Sequence, residues 1–457
     1  MTKNGKTHQV DMLHGPLLQK LVMFALPLTL TSILQQLFNS ADTAVVGHFV
    51  SSAAQAAVGA NSSVINLLVN TFVGMSVGAN VVVAALIARD QKKAISDAVH
   101  TIIAFSLAVS FQIIVIGELF AAPILRLMAT PEDVIGLATL YLRIYFVGVP
   151  FEMVYNFASA ILRARGDSQR PLYSLMLSGV INVILNLFFV IVLGMSVDGV
   201  AYATVISNAI AAGMVLYFLM TEEAPFTFSF QKLHIDRAYL HRVIVIGAPA
   251  GFQGALFSIS NVVVQSAINT FGSAAVAGGS IALYFDLFAY FFCNGFSQAC
   301  VTFVSQNAAA GKEDRCRKVF SLCLSCALLF TFIVGAIFVF FQDFFLGLYT
   351  ADAAVLSFAS IKMLHSCFFE FLEAPFDVTG SAIRGHGNSM LPTIITIIGT
   401  CLSRLGYVFF LFPYQHDFAA LMNVYPISWI LTSIIMLFAY YRMEKKLATS
   451  LPGTLKP

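Results

Sequence analysis

Between Thr43 and Ala88 the chain runs for 46 residues without an Asp, Glu, Lys or Arg. A single α-helix of that length would measure about 69 Å at 1.5 Å per residue. That is more than twice the ~30 Å hydrocarbon core of a bilayer. The stretch must therefore fold back on itself, as two apolar helices joined by a tight turn near Gly47 to Ser52. The rest of the 457-residue chain agrees, being 58% hydrophobic and 11% charged, where a soluble domain carries roughly 25% charged residues. These figures exclude a water-soluble core with a charged coat, a disordered chain and a collagen-like repeat. A net charge of +2 gives no reason to expect nucleic acid as a partner.

Charge-free apolar runs of about 20 residues, the length needed to span the hydrocarbon, predict twelve transmembrane helices. They fall near 17–46, 53–88, 95–118, 133–160, 170–193, 197–220, 240–269, 275–309, 317–342, 353–380, 389–412 and 420–442. The fold class is therefore an all-α integral membrane protein. Lys and Arg set its orientation. With the N-terminus inside, 21 of the 25 bases fall on internal segments, Arg126 alone is external, and Arg143, Lys362 and Arg404 lie within helices. Both termini are expected in the cytoplasm. The first 16 residues are polar and lack a small-residue cleavage pattern, so no cleavable signal peptide is expected. All seven cysteines fall in the second half, and Cys323-x-x-Cys326, in an apolar helix without a second pair or a nearby His, is expected to be packing.

The halves repeat. A shift of 222 residues places Pro27 on Pro249, Asn39 on Asn261, Phe49 on Phe271 and Ser51 on Ser273. A shift of 221 aligns Phe151–Pro171 with Leu372–Pro392, superposing Glu152 on Glu373, Arg163 on Arg384, Gly166 on Gly387, Ser168 on Ser389 and Pro171 on Pro392. Six helices per half start both halves on the same side, so the repeat is parallel. The expected organisation is an N-lobe over 1–220, a cytoplasmic linker over 221–239, a C-lobe over 240–445 and a cytoplasmic tail over 446–457. Two six-helix lobes around a cleft suit alternating access.

Ionisable side chains in hydrocarbon are costly and therefore invite a functional reading. Setting aside acids at helix ends, such as Asp97 and Glu118, six acids lie within the predicted helices: Asp42, Glu152, Asp286, Glu370, Glu373 and Asp377. The first helix carries Pro27, a place to bend, followed by Gln36, Asn39 and Asp42. In the fifth helix Asn182 and Asn186 share a face, and the sixth offers Thr204. One carboxylate, two amide oxygens and a hydroxyl make a hard oxygen site suited to Na⁺, or a proton site centred on Asp42. The other reading is a buried polar network that only joins helices. Glu370, Glu373 and Asp377 lie at i, i+3 and i+7 and form a second candidate site in the C-lobe, unless they sit at the interface and cap locally. Asp286 and Glu152 join Gln36, Asn39 and Asp42 as substrate-cavity candidates, and Arg143 and Lys362 are expected to pair with acids across helices. No P-loop, Rossmann glycine pattern, nucleophile elbow or metal-ligand cluster is visible, so neither ATP nor a cofactor is expected.

The parallel duplication, the Pro27…Asn39-x-x-Asp42 pattern and the twin segments Leu162–Pro171 and Ile383–Pro392 resemble the multidrug and toxic compound extrusion (MATE) family over essentially the whole chain. The resemblance implies a V-shaped two-lobe antiporter of the cell membrane, acting as a monomer, that exports cationic or amphiphilic compounds while Na⁺ or H⁺ runs inward. Asp42, Asn182 and Thr204 match the N-lobe cation site of the DinF-like branch, whereas Asn186 stands where some members carry a second aspartate. The seventh helix lacks the carboxylate of the NorM-like branch, so the DinF-like branch is the closer match. The alternatives are a lipid-linked precursor flippase, which needs a cationic cavity, and an integral membrane enzyme, which needs clustered nucleophiles or metal ligands.

Overall fold

The computed structural model describes residues 9–128 and 130–450. The charges of Lys3, Lys6 and Lys456 and the end of the expected tail lie outside the described residues. Among those described, all regular structure is helical, and twelve helices are long and apolar enough to cross a membrane. They are α1 (Leu17–Phe49), α2 (Ala53–Ala88), α3 (Lys92–Leu127), α4 (Glu132–Ala164), α5 (Gln169–Val192), α6 (Val197–Met220), α7 (Arg237–Asn269), α8 (Ser273–Ala309), α9 (Glu313–Phe340), α10 (Ala353–Gly385), α11 (Met390–Tyr414) and α12 (Phe418–Thr449). The protein is a multi-pass membrane protein. The turn expected near Gly47–Ser52 is there: α1 stops at Phe49 and Ser51 caps the next helix by accepting from the Ala54 amide.

The chain divides into two compact units. One holds Met23–Gly251 with the described part of Met1–Pro16, and the other holds Leu17–Val22 with Phe252 onward. In the first unit α4 is the central helix, packed on α2, α3 and α6. In the second, α8 packs along α9 and α10.

Small residues decide how closely helices approach when lipid offers no hydrophobic drive between them. Gly74 and Gly78 of α2 face Gly247 and Gly251 of α7, four apart on both helices. A Cβ at Gly78 would lie 2.2 Å from the Val243 carbonyl oxygen, and one at Gly247 would lie 2.4 Å from that of Met75. Backbone meets backbone there, so even alanine does not fit.

The twin segments are one turn built twice. Gly166 and Gly387 both have positive φ, +96° and +88°, a conformation that strongly favours glycine. Asp167 Oδ1 then accepts from the Arg170 amide at 3.0 Å, and its counterpart Asn388 accepts from the Leu391 amide at 3.2 Å. The repeated Gly, the following short polar residue and the Pro are thus what the loop between two antiparallel helices requires.

One expected helix is not continuous. The stretch predicted as 353–380 is α-helical to His365, passes through a turn and a 3₁₀ segment at Phe369–Leu372, and resumes at Ala374. Pro375 sits in the first turn of the new helix, where its missing N–H costs nothing, while an unbroken helix would have needed that bond. Glu370, Glu373 and Asp377 therefore do not share one regular α-helical stripe.

Candidate functional site

Asp42 lies in the second half of α1, which runs unbroken through Pro27. Gly179 of α5 brings the two helices together, since a Cβ at that position would fall 1.7 Å from the Phe38 ring, one turn before Asp42. The carboxylate is thereby pressed against α5 and α6 and is only 6% exposed.

Its partners are the residues the sequence singled out. Asn186 donates from Nδ2 to Asp42 Oδ1 and, with its other hydrogen, to Asn182 Oδ1 at 3.2 Å. Thr204 Oγ1 donates to Asp42 Oδ2 at 3.1 Å and lies 3.0 Å from the Val200 carbonyl. Asn186 Oδ1 is buried without a hydrogen-bond partner, so the cluster keeps an unused oxygen beside the carboxylate. No Lys or Arg forms an ion pair with Asp42 among the described residues. A buried carboxylate bonded only by amide and hydroxyl donors leaves its charge to be met by a proton or a cation.

Two residues not read from the sequence extend the cluster. Tyr141 and Tyr145, one turn apart on α4, both lie within electrostatic reach of Asp42. Tyr145 donates its hydroxyl to Glu152 Oε2 at 2.8 Å. Glu152, read only as a cavity candidate, is thus linked to the Asp42 site through a tyrosine. The spacing 141, 145, 152 is one helical stripe and was readable, but a lone tyrosine gives no cost signal of the kind a carboxylate does. Gln36 is half-buried and Asn39 exposed, and neither belongs to the hydrogen-bonded set.

The second unit is organised differently. Asp286 of α8 is 8% exposed, with the charges of Lys362 of α10 and Arg404 within electrostatic reach. Lys362 Nζ donates to the Gly279 carbonyl at 2.9 Å. Glu370 and Glu373 are buried side by side within the field of Arg404, and Asp377 faces Arg384, which bonds Gln253. These acids have bases nearby where Asp42 has none. Arg143, half-exposed on α4, lies 3.6 Å from Glu118 of α3.

Set against known proteins, the chain matches the MatE family model over residues 27–188 and 249–409, once in each half. It belongs to the MATE family of multidrug efflux transporters. It is 26% identical to the probable multidrug resistance protein YoeA of Bacillus subtilis, over 94% of this chain and 95% of that one. It is 24% identical to the probable multidrug resistance protein NorM of Thermotoga maritima, over 87% and 86%. Among solved structures, an outward-facing multidrug resistance MATE transporter of the MOP superfamily superposes with a TM-score of 0.90 at 21% identity, covering 98% of this chain and all of that one.

Proposed function

We propose that this protein is a secondary antiporter of the cell membrane that exports organic cations by alternating access in exchange for H⁺ or Na⁺, with Asp42 as the coupling residue. The observation that carries the reading is the buried Asp42 carboxylate, held by Asn186 and Thr204 and facing no base. Ionised, it attracts a lipophilic cation into the cavity. Loaded with H⁺ or Na⁺ it is neutralised, and the differential affinity for cargo that remains is what drives exchange. Na⁺ would take oxygens from Asp42, Asn182, Asn186 and Thr204, and a proton needs Asp42 alone. Pro27, which removes one backbone bond from α1, is where that helix yields when the charge is cancelled.

The absence of a base at Asp42 supports cationic cargo over the anionic pyrophosphate of a lipid-linked precursor. The distribution of Lys and Arg supports a cytoplasmic location for both termini.

Asp42→Asn is the direct test, because the amide preserves the shape and can still accept from Asn186. In everted vesicles with H⁺ and Na⁺ gradients imposed separately, ethidium transport driven by either gradient should fall to the level of empty vesicles while the amount of protein in the membrane is unchanged. Gradient-driven transport retained by the variant would overturn the assignment.

A further inference from the structure

Far along the chain from Asp42, a second cluster of unlike ligands sits where α9 begins and α10 ends. Glu313 and Cys316 lie three apart in the first turn of α9 and so share a face. His386 follows the last residue of α10 and reaches the same face. One ligand atom from each of the three lies within 4.8 Å of the others. A tetrahedral site with bonds of about 2.0–2.3 Å separates its ligands by roughly 3.3–3.8 Å, so closing on an ion needs shifts of about 1 Å or less.

The histidine is set up as a ligand. Its Nδ1 lies 2.9 Å from the Ala382 carbonyl, which can only accept, so Nδ1 carries a hydrogen. Nε2 is thereby turned toward Glu313 Oε2, 3.1 Å away. A backbone carbonyl on one ring nitrogen that orients the other is the usual support of a metal-bound imidazole. An ion on Nε2 takes the place of any hydrogen between Nε2 and Glu313 Oε2, and binding releases the Cys316 thiol proton to solvent. Glu444 of α12 acts electrostatically on both Cys316 and His386 and has one buried oxygen without a hydrogen bond. Tyr440, one turn earlier, is 7% exposed, packs tilted against Phe320 with ring centroids 4.4 Å apart, and its hydroxyl interacts with Glu444. Glu444, whose other oxygen pairs with Arg317, thus keeps one oxygen beside the three ligands. The side chains of Glu313 and His386 are 19% and 8% exposed, at the very ends of their spans, so an ion can arrive from water.

The repeat sharpens the point. His386 superposes on Arg165 and Glu313 on Lys92. In the first unit Arg165 instead pairs with Glu222, just past the end of α6, and Lys92 takes the place of the carboxylate. In the second unit the same turn carries an imidazole, a thiol and a carboxylate.

We propose that Glu313, Cys316 and His386 form a site for a divalent transition-metal ion of the Zn²⁺ class, with Glu444 or water completing the coordination. Sulfur and imidazole ligands select Zn²⁺ or Co²⁺ over Mg²⁺ and Ca²⁺. The bound ion ties the start of α9 to the end of α10. The site is separate from cation coupling at Asp42 and does not depend on it.

The test uses the full chain in detergent, freed of any histidine tag and of chelator. Co²⁺ should give a thiolate-to-metal absorption band that one equivalent of Zn²⁺ abolishes and Mg²⁺ does not. Cys316→Ala should lose the band. His386→Gln and Glu313→Gln should weaken Zn²⁺ binding by at least about tenfold, and Cys323→Ala should leave it intact. Thermal unfolding of each variant without metal reports whether it is folded, and Zn²⁺ should raise the melting temperature of the parent and not of Cys316→Ala. Absence of the Co²⁺ band in the parent, or Zn²⁺ affinity equal in the parent and in the folded Cys316 and His386 variants, overturns the proposal.

Discussion

Asn186 of α5 donates one amide hydrogen to Asp42 of α1, 144 residues away, and the other to Asn182 on its own helix. That fork fixes the Asn186 amide with its oxygen unused and makes the carboxylate part of a three-helix cluster. Asp42 is held by donors that leave its charge uncancelled. This separates it from the acids of the second unit, which stand beside Lys362, Arg384 and Arg404.

The first prediction concerns the ion. Asn186→Asp would put a second carboxylate beside Asp42. Two like charges in a shared buried site repel unless a cation lies between them, so the variant should need Na⁺. Its melting temperature should rise on Na⁺ addition by several degrees more than that of the parent. An identical Na⁺ response in the two proteins would show that Asn186 does not border the ion.

The Asp42 cluster also reaches Glu152 through Tyr145. Tyr145→Phe keeps the ring and removes the one hydroxyl that donates to Glu152. Loss of such a bond costs about 0.5–1.5 kcal/mol, more where an acceptor is left buried. The expected outcome is a modest drop in melting temperature with a larger loss of transport, read as turnover in vesicles at matched protein. A fall in stability with unchanged turnover would confine Tyr145 to packing.

Glycine at the α2–α7 crossing is a steric requirement. Gly78→Ala places a methyl 2.2 Å from the Val243 carbonyl and within 2.9 Å of three backbone atoms, none of which can rotate away. Overpacking of this kind costs about 1–3 kcal/mol. Gly59→Ala on the same helix meets nothing within 4 Å and should be neutral or slightly stabilising. Thermal unfolding of the two variants side by side checks the contrast, and equal melting temperatures would count against it.

Much of this was legible in the sequence, for reasons that can be named. The charge-free run from Thr43 to Ala88 forces a fold-back because hydrocarbon admits only helices of bounded length. Gly166 and Gly387 repeat because the same left-handed turn repeats. Asn182, Asn186 and Thr204 could be grouped with Asp42 because each is a polar group in an expensive place. The break at Ser366–Glu373 was not legible, although Pro375 marked it, because a proline inside an apolar run can equally kink a continuous helix, as Pro27 does not even interrupt α1. Nor was it legible which acid Lys362 would act on, here Asp286, or the setting of Arg404, since charges that meet across helices carry no spacing signal along the chain. Glu313, Cys316 and His386 escaped for the same reason: His386 lies 73 residues from Glu313 and meets it only through the fold.

The last prediction tests whether the second unit's charges are structural. Arg404 is 1% exposed and is held between Phe257 and Tyr425, with 5.0 Å from its guanidinium to each ring centroid. It donates to Asn261 Oδ1 at 2.7 Å and to Ser428 Oγ at 3.1 Å. Its charge also acts on Asp286, Glu370 and Glu373. A planar cation fits between two rings and still presents separate donors to two partners, which a lysine does not. Arg404→Met retains bulk but strips a positive charge from among buried acids, and breaking such a set costs about 3–5 kcal/mol. Arg404→Lys keeps the charge and loses the fork and the stacking, so it should fall between Met and the parent. The order of melting temperatures, Arg above Lys above Met, is the expected result. If the acids instead formed a second coupling site, Arg404→Lys would change the ion dependence of transport with little change in stability. The same pair of variants, measured for unfolding and for gradient-driven efflux, therefore distinguishes a structural charge network from a second ion path.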